Sequence, residues 1–166
     1  ARKSADTPVL NGLDDVDTAV ELGAGVSYTT WRGKIFGEVR RGFGGHEGYV
    51  GEIGAEASFH PTDALTLSGG PRVSFADAEY MNIYFGVSAA ETQASGLSTF
   101  DAGAGFKSVG IATSARYEIT SNWAIEGEAA YDRLIGDAAA SPVTGAGSRD
   151  QFSFRLGAVR KFKLDF

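Results

Sequence analysis

The chain contains no cysteine, and only four prolines, one methionine and two histidines in 166 residues. Without cysteine there is no disulfide framework, no thiolate metal site and no cysteine nucleophile. Scarce proline, with glycine off any three-residue period, excludes a collagen-like chain. No apolar run approaches the ~20 residues of a membrane-crossing helix, so a membrane role requires strands. The opening Ala1-Arg2-Lys3-Ser4 lacks the apolar stretch of a secretion signal. Basic charge is short as well. Fifteen Lys and Arg stand against 21 Asp and Glu, for a net charge of −6 and no basic run. That excludes nucleic acid as a partner, because phosphate affinity comes from clustered cations.

Glycine, by contrast, is abundant at 23 residues, and the apolar fraction of 43 % is too high for a disordered chain. The dominant pattern is alternation with a period of two. Val20, Leu22, Ala24, Val26 and Tyr28 share one parity, and Glu21, Gly23, Gly25 and Ser27 the other. Successive strand residues point to opposite faces, so this reads as a strand with one apolar side. The pattern returns from Ile35 to Phe43, Tyr49 to His60, Leu65 to Phe75, Ser108 to Ile119, Trp123 to Asp132 and Gln151 to Phe166. Seven strands result, with a bulge or distortion expected at Pro71, which removes a ladder donor.

Short and long links alternate strictly. Trp31 to Lys34, His60 to Asp63 and Thr120 to Asn122 read as tight turns. Gly44 to Gly48, residues 77–105 and residues 136–149 read as longer loops, and residues 1–17 as a polar lead-in. On the apolar parity, Phe59, Tyr117, Trp123, Phe162 and Phe166 gather toward the short-turn end. Phe43, Tyr49, Phe75, Tyr131 and Phe152 gather toward the long-loop end. Two aromatic rows flanking an aliphatic band, with short turns on one side, match an outer-membrane barrel. The expected fold is therefore all-β: one antiparallel up-and-down transmembrane barrel domain over residues 1–166. A first strand that runs toward a short turn needs an upward strand before it, so the complete protein is expected to hold further N-terminal strands. The alternative is an eighth crossing at Tyr80 to Val87. A short strand or plug inside the long loop is preferred there, since no tight turn adjoins it.

The polar parity collects Glu52, Glu56, Arg72, Arg116, Glu126, Glu128 and Arg155, together with Glu21, Glu38, Arg40, Glu118 and Asp132. In a barrel these point inward. Paired charges filling the lumen is the preferred reading, because buried charges need partners. A water-filled path for small solutes is the second. Acid/base work by Glu52 with Glu56, or Glu126 with Glu128, is the third. His46, between Gly45 and Glu47, and His60, at a turn, read as surface histidines, and two isolated histidines make no metal site. Gly103-Ala104-Gly105 and Gly145-Ala146-Gly147 lack the rest of any phosphate-loop fingerprint and read as flexible loops. No Ser/His/Asp arrangement is readable, and no catalytic residue, metal or cofactor is assigned.

Several ordered pieces carry a resemblance. They include Tyr84-Phe85-Gly86-Val87, Asp101-Ala102-Gly103-Ala104-Gly105, Thr120-Ser121-Asn122-Trp123, Tyr131-Asp132-Arg133-Leu134-Ile135-Gly136-Asp137 and Gly147-Ser148-Arg149-Asp150-Gln151-Phe152. With Gly69-Gly70-Pro71-Arg72 and Gly44-Gly45-His46-Glu47-Gly48, the set resembles the MipA/OmpV family from about Leu10 onward. The resemblance implies a non-enzymatic barrel of the Gram-negative outer membrane. It also implies a scaffold joining a lytic transglycosylase to a murein synthase, or an envelope protein of osmotic response. Phe162, Leu164 and Phe166 resemble the terminal signal read by the barrel assembly machinery, although the ending Lys163-Leu164-Asp165-Phe166 departs from the usual one. If the chain is a scaffold, Arg32, Lys34, Asp63 and Asn122 are placed to meet partners at the short-turn rim. A small-solute channel and a soluble lipocalin-like barrel with its apolar face inward remain the alternatives.

Overall fold

The computed structural model describes residues 11–162. Seven strands form a single sheet in sequence order: β1 (Ala19–Thr30), β2 (Gly33–Gly44), β3 (Tyr49–Thr62), β4 (Leu65–Ala76), β5 (Gly105–Glu118), β6 (Trp123–Leu134) and β7 (Asp150–Arg160). Every neighbouring pair is antiparallel. The sheet curls into a half-barrel, and the fold is all-β. Among the described residues no helix is long and apolar enough to cross a membrane.

Each short turn is held by a threonine hydroxyl that accepts a backbone N–H, a local bond available to Ser and Thr in turns. Thr30 accepts from Arg32 (3.3 Å), Thr62 from Leu65 (3.1 Å) and Thr120 from Trp123 (3.1 Å). The strands are staggered. β2 pairs with β3 only from Gly33↔Ala57 to Arg41↔Tyr49, so the last residues of β3 overhang β2 and pair with β4 alone. Stagger of this kind tilts strands and lets a sheet curl.

At Pro71 the β3–β4 ladder is interrupted between Gly54↔Arg72 and Ala57↔Gly69 while its register is kept. The distortion expected at Pro71 is therefore a gap in pairing and not a bulge. Here the two strands press together, and a Cβ on Gly70 would lie 1.9 Å from the Ala55 carbonyl oxygen. The bulges lie elsewhere, between Phe59 and Thr62 and between Ser74 and Phe75. The second pairs Ser74 with Ser108 and Phe75 with Phe106, leaving Lys107 as the extra residue. Phe106 thereby faces out with Phe75, and Lys107 turns inward.

The charged parity lines the concave side, where residues of all seven strands enclose a trough of about 840 Å³. The apolar parity is convex and uncovered. Val26, Phe154 and Leu156 are 80 %, 83 % and 81 % exposed. This orientation overturns the lipocalin-like alternative, which needs the apolar face inside. β1 and β7 are the two edges of the sheet, and both run from the long-link end to the short-turn end. They cannot pair antiparallel with each other.

The long links are not loops throughout. Residues 77–104 carry α1 (Ala78–Phe85) and α2 (Ala89–Ser95), and residues 135–149 carry α3 (Gly136–Ala140) and α4 (Pro142–Ala146). The segment Tyr80 to Val87, expected as a short strand or plug, is thus mostly helix. Asp77 caps α1 by accepting the Tyr80 N–H at 2.9 Å, and Ser88 with Glu91 forms a capping box on α2. Tyr80, Met81, Tyr84 and Phe85 fall at helical spacing, which puts them on one side of α1. That side meets Val50, Ala76, Ala102, Leu134 and Ala138 in the hydrophobic core, which sits at the long-link end of the sheet. Polar bonds lock this cap. Asn82 Oδ1 accepts the Ala102 N–H (2.8 Å), Asp137 Oδ2 accepts the Gly103 N–H (2.8 Å), and Ser141 Oγ donates to the Phe85 carbonyl (2.6 Å). Within the expected polar lead-in, Leu13 and Val16 are buried, and the Asp14 N–H donates to Glu91.

Candidate functional site

Arg40 and Arg72 line the trough, and a third arginine, Arg116, stands on the same charged parity. Arg40 on β2 is at the long-link end, Arg72 on β4 is midway and Arg116 on β5 is at the short-turn end. Arg40 bridges Glu21 (2.8 Å) and Glu38. Arg72, with only 14 % of its side chain exposed, meets Asp132 through Nε at 3.1 Å and through Nη2. It also lies 3.8 Å from Glu52 and 3.7 Å from Glu128. Arg116 bridges Glu118 (2.8 Å) and Glu126. A planar guanidinium with several donors suits this role, because one cation satisfies two or three carboxylates.

The seven charged residues singled out in the sequence fall into three groups. Glu52, Arg72, Glu128 and Arg155 are linked, the last through Glu128 at 3.5 Å. Arg116 and Glu126 form a second group, and Glu56 pairs with Lys34 at 3.4 Å in a third. The carboxylate pairs considered for acid/base work are divided between different cations. Glu52 turns to Arg72 and Glu56 to Lys34; Glu126 turns to Arg116 and Glu128 to Arg72 and Arg155. Among the described residues no three His, Asp or Glu side chains converge as a metal site.

The upper end of the trough contains residues the alternation did not single out. His46, expected at the surface, is buried at 2 % exposure. Its Nε2 lies 3.2 Å from Glu21 Oε1, and its ring meets Tyr80 and Tyr84 edge-on at 4.9 and 5.6 Å. It rests on Gly42, where a Cβ would come within 2.1 Å of the imidazole. The reason for its burial is α1, which folds back over the β2–β3 link. Burial pushes the Tyr80 phenol up to about 12. The Lys107 ammonium lies 5.2 Å from the Tyr80 ring centre and lines the trough. A sequence signal for Lys107 exists in the broken parity from Phe106 to Val109. None exists for His46.

At the short-turn rim, Arg32, Asp63 and Asn122 are exposed, whereas Lys34 points into the trough toward Glu56. His60 is exposed near the end of β3. Phe162 is exposed beyond β7, under the Arg160 guanidinium at 4.7 Å. Leu164 and Phe166 lie outside the described residues.

Comparison with known proteins adds one finding. A family model described as MltA-interacting protein MipA matches residues 2–162. No curated relative and no solved structure matches the chain.

Proposed function

The chain belongs to the MltA-interacting protein MipA family, and from that premise we propose a non-enzymatic barrel protein of the Gram-negative outer membrane. In this reading it binds a lytic transglycosylase of the MltA type and holds it beside a murein synthase. The observation that carries the membrane part is the convex face. It is aliphatic in the middle, aromatic toward both ends and free of any covering layer among the described residues. A soluble protein rarely leaves an apolar surface larger than a few hundred Å² open to water, whereas lipid satisfies it at no cost. Strands of 11 to 14 residues are long enough to cross the hydrocarbon core when tilted.

The family's name supplies the partner. The short-turn rim, with Arg32, Asp63 and Asn122 exposed, is the surface assigned to it. Phe162, Leu164 and Phe166 are assigned to delivery by the barrel assembly machinery. The trough charges are read as structural, because each carboxylate of the Arg72 group has its cation. Against a small-solute channel stands α1, whose Tyr80 and Tyr84 line the long-link end of the trough.

The test is co-purification from detergent-solubilised membranes with the lytic transglycosylase as bait. Retention of the chain, lost on Arg32→Glu with Asp63→Lys, is the expected result. Retention unaffected by those changes removes the rim assignment. No retention of the unaltered chain, together with ion conductance in planar bilayers, replaces the scaffold with a channel.

A further inference from the structure

Along the outward parity of the seven strands, Asp, Glu, Lys and Arg occur only toward the strand ends. Arg133 and Asp150 face each other across β6 and β7 at the long-link end, with Arg133 Nη1 donating at 2.9 Å. Tyr131 donates its hydroxyl to the same carboxylate at 2.7 Å. Arg160 stands at the opposite rim, near the Trp123 and Phe162 rings at 5.3 and 4.7 Å. Arg41 is different from Arg133, although both lie toward the long-link end. No carboxylate among the described residues lies within 4 Å of it. Its guanidinium carbon lies 5.5 Å from the Phe43 ring centre and 5.6 Å from that of Tyr49, its direct cross-strand partner. Only Nε is engaged, donating to the Glu47 carbonyl at 3.4 Å.

We propose that Arg41, held between Phe43 and Tyr49, binds the phosphate of an anionic lipid in the leaflet on the long-link side. The two terminal NH₂ groups are free to face two phosphate oxygens, the geometry that suits a guanidinium fork to phosphate. The flanking rings hold the cation by their π faces and limit the rotamers it must give up on binding. Beside it lies Leu22, its cross-strand partner on β1, and toward the middle of the wall lie Val39 and Ile53; all three are exposed and apolar and accept the acyl chains of the same lipid. Charge complementarity commits the site to a lipid. An exposed, unpaired cation at the top of an apolar wall meets headgroup phosphates first, and the bilayer surface concentrates them there. Arg133 provides an internal contrast, since Asp150 already neutralises it.

The inference rests on the membrane reading, and the test separates the two. The full chain is reconstituted in phosphatidylcholine vesicles containing a trace of spin-labelled phosphatidic acid or spin-labelled phosphatidylcholine. The motionally restricted lipid is then measured by electron paramagnetic resonance. The expected result is a preference for phosphatidic acid that Arg41→Gln lowers roughly fivefold. Arg41→Lys keeps part of the preference, and Arg133→Gln leaves it unchanged. Equal preference in the unaltered chain and Arg41→Gln overturns the proposal while leaving the membrane reading intact. Absence of restricted lipid with either label overturns the membrane reading and the proposal with it.

Discussion

In the strand wall, Val26, Phe154 and Leu156 point away from the protein, while in the cap Met81, Ala102 and Ala138 have no accessible surface. The wall turns its charges inward and joins them through Arg40, Arg72 and Arg116. The cap turns its apolar side chains inward and closes on hydrogen bonds from Asn82, Asp137 and Ser141. One chain therefore uses two kinds of packing, set by what lies outside each part. On the proposed membrane reading, the wall meets lipid and the cap meets water. Hydrogen-bonded ladders hold the wall, since every neighbouring strand pair is joined antiparallel along most of its length, and the hydrophobic core cluster sits where the cap meets the long-link end of the sheet.

The largest expected effect tests whether the wall depends on its inner charges. Arg72→Met strands Glu52, Glu128 and Asp132 against one another, and removing one partner of a buried ion pair costs about 3–5 kcal/mol. Urea unfolding in vesicles reads this as an earlier midpoint. An unchanged midpoint means that the ladders alone hold the wall. Next is Met81→Ala, a cavity in the core expected to cost about 2–5 kcal/mol. Limited proteolysis should then cut within residues 77–104 while the strands stay protected. Simultaneous loss of the strands would show that cap and wall are one cooperative unit. Third, Leu156→Lys on the convex face is expected to cost about 2–4 kcal/mol in a bilayer. The same change on a water-facing sheet lies within about 0.5 kcal/mol, so a neutral outcome removes the contrast between the two surroundings. Asp77→Ala is expected to cost about 1 kcal/mol through loss of the α1 cap, seen as a lower thermal midpoint for the cap alone.

The smallest effect at neutral pH concerns Tyr80. Burial raises its phenol from 10.0 to about 12, so the folded cap holds that proton more tightly than the unfolded chain does. The stability linked to it is complete below pH 10 and is lost as pH rises toward 12. Absorbance titration at 295 nm, with Tyr80→Phe as reference, should show one late-ionising tyrosine. A Tyr80 that ionises with the exposed tyrosines would place α1 away from the sheet.

The strand starts at Tyr49, Leu65 and Trp123, the alternating links and the choice of polar and apolar parity were all readable from residue spacing. Each strand repeats its signal over 11 to 14 residues. The cap was not readable. The eight residues of α1 are too few to show a helical period against alternation, and their helix depends on Asp77 and on the surface formed by Val50, Ala76 and Leu134. The burial of His46 was hidden because the residues that cover it, Tyr80 and Tyr84, come from α1, a later element. The bulge at Lys107 left a trace in the spacing of Phe106 and Val109, but only pairing with Ser74 and Phe75 located it.

Period-two alternation determined, by itself, an antiparallel sheet with one apolar and one charged face, because successive strand side chains must point to opposite sides. Which face is concave was decided only by the curl of the sheet, through stagger and bulges that no single strand encodes. Which carboxylate meets which arginine was decided there as well. Glu52 on β3 and Asp132 on β6 are far apart in the chain, and only the curl of the sheet, which brings β6 toward β4 across β5, carries both to Arg72.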